Sequence, residues 1–125
     1  MKRLGGFEIG VFKHGVDVYV GLPEDCAKNA AGYCEIVLDE QQVKIFLKEK
    51  DCFAGYVMHE CVHAADFILK NIGADMGTNP NDSEVRAYMA EYIFCKVGCI
   101  LGTMKYKPRK WGKNKGKYQH IEEGK

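Results

Sequence analysis

The sequence predicts an α+β domain. Alternating apolar runs of strand length fill its first half, and two long apolar segments of helical length fill its second. The strand-like runs precede the helical ones instead of interleaving with them, the order expected of an α+β chain.

Phe7, Ile9 and Val11 alternate along the first run, and Val16, Val18 and Val20 along the second. Strands over 7–12 and 16–20 follow, joined at Lys13-His14-Gly15 with His14 a solvated turn residue. Residues 21–25 (Gly-Leu-Pro-Glu-Asp) break the sheet, and 26–32 is an irregular or briefly helical connection. A second hairpin begins near Tyr33. Cys34, Ile36 and Leu38 alternate, 39–42 turns, and Val43, Ile45 and Leu47 alternate again. Lys44 and Lys48 on the other face suit a half-exposed or edge strand. Asp51 can cap a helix over 53–71, apolar around enough of its circumference to imply burial on more than one side, with Gly73 at its end. Residues 81–84 (Asn-Asp-Ser-Glu) read as a capping signal for a further helix over 84–101. The expected division is a domain over 1–104 and a basic tail over 105–125.

Within the first helix stands His59-Glu60-Cys61-Val62-His63, an H-E-x-x-H pattern. Histidines four residues apart share one helix face, where two imidazoles can hold one tetrahedral Zn²⁺. Glu60 is placed to take a proton from water beside the metal without being a ligand. The alternative is a chance pattern, two helical histidines with another role. Two histidines and a glutamate inside a buried helix need a partner, which a metal supplies.

Composition sets the outer limits. With 125 residues the chain is one domain, 46% hydrophobic and 28% charged, ordinary proportions for a soluble protein. No apolar run is long enough to cross a membrane, and the first residues lack a signal core, so a cytoplasmic location is expected. The six cysteines then read as reduced thiols, with Cys61 and Cys95 as small core residues; Cys95-x-x-x-Cys99 is poor metal spacing. Residues 1–103 carry 10 Lys/Arg against 15 Asp/Glu, whereas 104–125 carry 8 against 2. The tail interleaves Tyr106 and Trp111 with its cations and can serve solubility or track a nucleic acid.

A catalytic zinc takes three protein ligands and leaves a fourth position open. Glu84, Glu91 and Asp66 are the acids near enough in sequence to be the third. His59-Glu60-Cys61-Val62-His63-Ala64-Ala65-Asp66-Phe67 followed by Ser83-Glu84-Val85-Arg86-Ala87-Tyr88 resembles the small gluzincin-type metallopeptidases, in particular the minimal single-domain forms encoded by phages and prophages. The resemblance spans about residues 33–101. It implies a zincin-like fold, a small antiparallel or mixed sheet packed on the H-E-x-x-H helix. It makes Glu84, in its E-x-x-A context, the third ligand beside His59 and His63. It also implies that the strand before the helix, 43–47, lines the cleft and pairs with an extended peptide.

The expected activity is zinc-dependent peptide hydrolysis in a bacterial host cytoplasm, with Glu60 as general base and Tyr88, one turn beyond Glu84, as oxyanion donor. Each assignment has a plainer counterpart. Glu84 can be a capping residue, Tyr88 a rim aromatic, and Asp66 or Glu91 a supporting acid. The competing class is a zincin-like zinc module without strong proteolysis that binds a host protein or nucleic acid. DNA-binding proteases of SprT type use a third histidine, and neither His14 nor His120 sits where that ligand belongs.

Overall fold

The computed structural model describes residues 1–10, 12–26, 29–73 and 80–103. Four strands, β1 (Lys2–Ile9), β2 (His14–Val20), β3 (Gly32–Val37) and β4 (Gln42–Leu47), are followed by two helices, α1 (Ala54–Asn71) and α2 (Pro80–Leu101). The chain is therefore α+β with a mixed sheet, and the expected boundary at the basic tail lies outside the described residues.

Alternation dictates the sheet's two faces. Val16 and Val18 of β2, and Val43, Ile45 and Leu47 of β4, point at the helices and are fully buried. They meet Val57, Cys61, Ala64, Ala65 and Ile68 of α1 and Ala90, Ile93, Val97 and Leu101 of α2 in one core. Ala64 and Ala65 have little side chain, so α1 can approach its neighbours closely. On the opposite face Tyr19 stacks on Phe46 at 5.0 Å, and Tyr33 tilts against Phe46 from the other side.

Strand order is β1-β2-β4-β3. β1 and β2 form the expected hairpin, but β1 begins at Lys2 and carries a register shift between Arg3 and Gly5. β3 and β4 form the second antiparallel pair, joined by a 3-10 turn, Leu38–Glu40, and by Gln41 at φ 49°. β4 inserts parallel to β2, which corrects the edge-strand reading of Lys44 and Lys48. It also corrects the expectation that 43–47 pairs with a substrate, because both of its edges are occupied. The edge strand beside α1 is β3.

The helix ends differ from expectation for local reasons. Phe53, not Asp51, occupies the N-cap of α1, and no side chain bonds there. Pro80 opens α2, where its missing N–H costs nothing, so the helix starts four residues before Glu84. Gly73 takes φ 82°, the left-handed conformation expected after a helix. α1 buries one face, not two; His59, Val62 and His63 lie on its exposed side.

His14 is a further correction. It is 0% exposed at the start of β2, where its Nδ1–H donates to the Gly15 carbonyl (3.3 Å) and Asn71 Nδ2 donates to its Nε2 (3.1 Å). Burial lowers its pKa from the usual 6.5.

Candidate metal and hydrolytic site

The first half of α1 runs past the start of β3, and its buried face turns Glu60 inward against the sheet. Glu60 is 6% exposed, one of two buried polar side chains among the described residues. It fits there because position 32 is glycine. A Cβ on Gly32 would stand 2.9 Å from Glu60 Cγ and 3.1 Å from Oε2. Burial raises the Glu60 carboxyl above its usual range, and the adjacent His59 and His63 partly offset the shift.

Helical rotation carries His59, one residue before Glu60, and His63, three residues after it, out of the core. His59 and His63 lie one turn apart on the exposed face, with ring centroids 4.8 Å apart and Nε2 atoms 3.2 Å apart. Phe67, one turn further along α1, lies nearly parallel to the His63 ring, with centroids 6.2 Å apart at 19°. Two nitrogens bound to one tetrahedral zinc at 2.0–2.1 Å stand about 3.3 Å apart. The pair thus has the spacing of two corners of such a site. The same separation also suits a hydrogen bond between the rings.

A cleft of about 580 Å³ opens beside the pair. Asn29, Ala30, Ala31 and Gly32 line it from the sheet side, and Phe53, Gly55, Tyr56, His59 and Glu60 from α1. Glu60 and His59 therefore reach one solvent-open space, bordered by the start of edge strand β3.

The acids expected to complete the set are placed otherwise. Glu84 is exposed, and nine residues at about 100° each put it about 180° around α2 from buried Ile93. Tyr88 lies on the same outward side and is 57% exposed. Glu91 shares that side of α2. Asp66 continues the stripe of His59 and His63 along α1 and pairs with Arg86 of α2 at 3.0 Å. Among the described residues no group of three His, Cys, Asp or Glu side chains converges closely enough to hold a metal. The structure thus brings together His59, Glu60 and His63, and does not bring Glu84 or Tyr88 to them.

Sequence reasoning missed Gly32, Phe53, Tyr56 and Arg86. Gly32 carried a signal, since a glycine opening a strand marks close approach by another group. A phenylalanine at the start of a helical segment, where a capping residue is expected, was a second signal. The six cysteines are free thiols. Burial beside Glu60 pushes Cys61 up to about 12 and raises Cys34 as well, so neither forms a thiolate near neutral pH.

Comparison of the chain with protein-family models, with curated proteins and with solved structures finds no match. Among the described residues no helix is long and apolar enough to cross a membrane.

Proposed function

We propose that the chain is a zinc-dependent peptide hydrolase of minimal zincin-like build, with His59 and His63 holding the metal and Glu60 as general base. The observation that carries this reading is the convergence of the two Nε2 atoms at 3.2 Å beside the cleft that Glu60 lines. Helical spacing alone aligns the two histidines, but it gives no reason for the glutamate between them to line a cleft.

When bound, zinc would polarise the scissile carbonyl and acidify water at the site. The chain's own groups supply the rest. Glu60 lies in a desolvated pocket that raises its proton affinity, so its carboxylate takes a proton from the attacking water and returns it to the leaving amine. β3 stands at the edge of the sheet and has no second partner strand among the described residues, so an extended peptide can pair along it through main-chain hydrogen bonds. Gly32 keeps that edge and Glu60 in close apposition.

Glu84 is the third ligand that the gluzincin resemblance assigns, with Asp66 and Glu91 as the competing carboxylates. Zinc stoichiometry in Glu84→Ala, Asp66→Ala and Glu91→Ala decides among them. Tyr88 is the proposed oxyanion donor, and Tyr88→Phe tests it through kcat. The zinc-loaded chain is expected to cleave members of a peptide library, read by mass spectrometry, and Glu60→Gln to cleave none. Cleavage that persists in Glu60→Gln refutes the mechanism. The competing role in nucleic-acid binding rests on residues 105–117, outside the described part.

A further inference from the structure

A catalytic zinc takes three protein ligands, and among the described residues no third group converges on His59 and His63. For Glu84 the obstacle is distance along the helices as well as rotation. Asp66 pairs with Arg86, and Cys95 lies within electrostatic reach of Cys61, so α1 and α2 run antiparallel. His63 lies three residues before Asp66, and Glu84 lies two residues before Arg86. In antiparallel helices those steps diverge. At 1.5 Å per residue they separate Glu84 from His63 by at least about 7 Å along the axes, and from His59 by about 6 Å more.

The histidines and Glu84 nevertheless share one open surface. Each stands opposite the core on its own helix, on the side of the helical layer turned away from the sheet, and all three are exposed. Exposed apolar side chains accompany them: Val62 (37%) between the histidines, and Val85 (45%) and Tyr88 (57%) beside Glu84. From Pro80 to Tyr88 every residue of α2 is exposed except Asp82 and Arg86, which are half-buried. A surface that carries two corners of a metal site and, some distance away, a carboxylate that cannot reach them is complementary to a second copy of itself. A two-fold axis lying in that surface and crossing midway between the two positions exchanges them. The cleft beside Glu60 is lined from the β3 side and by no residue of α2, so such a contact leaves it open.

We propose that two copies of the chain pair through the outer faces of α1 and α2, and that Glu84 of each copy is the third ligand of the metal held by His59 and His63 of the other. The assignment rests on the zinc reading above, and the test separates the two. The same exchange carries Tyr88, one turn beyond Glu84, toward the other copy's site. Val62, Val85 and Tyr88 supply apolar contact but fall short of the roughly 800 Å² per partner of a stable interface, so the metal completes the association.

The full chain is stripped of metal with EDTA, dialysed and titrated with zinc, its mass followed by sedimentation velocity and its bound zinc by atomic absorption. The native chain should be monomeric without zinc and a dimer with one zinc per chain when loaded, the concentration for half-dissociation falling about a hundredfold or more. Glu84→Ala, and the double variant His59→Ala with His63→Ala, should each stay monomeric and bind no zinc. Mixed in equal amounts at high concentration, they should recover one zinc per pair of chains, since one brings the histidines and the other the carboxylate. Val85→Lys should weaken the zinc-dependent pairing at least about tenfold, with helix content by circular dichroism unchanged. A mixture that recovers no zinc, or zinc retained by Glu84→Ala, overturns the shared site. Zinc held by a monomer that cleaves a peptide library also overturns it and leaves hydrolysis standing. A zinc-linked dimer that cleaves nothing supports the shared site and refutes hydrolysis. No zinc binding at all refutes both.

Discussion

Adding one methyl group at Gly32 is the sharpest perturbation the structure offers. The new Cβ would lie 2.9 Å from Glu60 Cγ, 3.1 Å from its Oε2 and 3.1 Å from the Phe46 carbonyl oxygen. The first distance falls about 0.6 Å short of a comfortable carbon–carbon separation. The Phe46 carbonyl belongs to the central strand and cannot yield, so the Glu60 side chain must. With Glu60 as the proposed general base, a displacement approaching 1 Å costs about a hundredfold in rate, so kcat/KM in Gly32→Ala should fall about tenfold to a hundredfold. Stability should change far less. Overpacking costs about 1–3 kcal/mol, at the low end here because the tip of a side chain gives way. The narrower unfolded ensemble of alanine returns about 0.4–1 kcal/mol. A net loss of at most about 0.6 kcal/mol follows, read as a slightly lower urea midpoint. A third readout needs no activity: burial holds the Glu60 carboxyl above its usual range, and pushing it toward water should bring its NMR titration down. A folded Gly32→Ala with unchanged kcat/KM and unchanged Glu60 titration would refute the claim that this glycine positions the base.

Two further predictions concern the frame around the site. Because burial places the folded pKa of His14 below its unfolded 6.5, the unfolded chain takes up a proton first as pH falls. The contribution of His14 is thus fully present above about pH 6.5 and is lost as pH drops from there through the lower folded value. Urea midpoints from pH 7.5 to 5 should show a decline that is shallower in His14→Ala; equal slopes would contradict it. The Asp66–Arg86 pair is more than a third exposed on both sides, so a double-mutant cycle should give only about 0.2–1 kcal/mol. A much larger coupling would mean that the pair holds the two helices in register.

Local patterning made the secondary structure legible, and burial made part of it misleading. Alternation at Val16, Val18, Val43 and Ile45 revealed both hairpins, because a half-buried strand writes its period into the sequence. Partner choice between the hairpins is a long-range event without such a period, so parallel pairing of β2 and β4 was not foreseen. The run Ile45-Phe46-Leu47, all three buried, did mark β4 as central, and Lys44 masked it. His14 looked like a turn residue beside Gly15; only the end of α1, which brings Asn71 to its ring, makes it a core one. At the site, four-residue spacing was enough to align His59 and His63, since both ride on one helix. Glu84 and Tyr88 lie on another helix whose rotation depends on Ala90, Ile93 and Val97 packing inward, and that rotation turns both outward.

In the proposed site His59 and His63 share a metal which Glu60 serves without binding. Zinc content after dialysis, measured by inductively coupled plasma mass spectrometry on the native chain, His59→Ala, His63→Ala and Glu60→Gln, tests it most directly. One zinc per native chain is expected, with retention in Glu60→Gln and loss in both histidine variants. Zinc absent from the native chain, or equally retained when either histidine is removed, would contradict it.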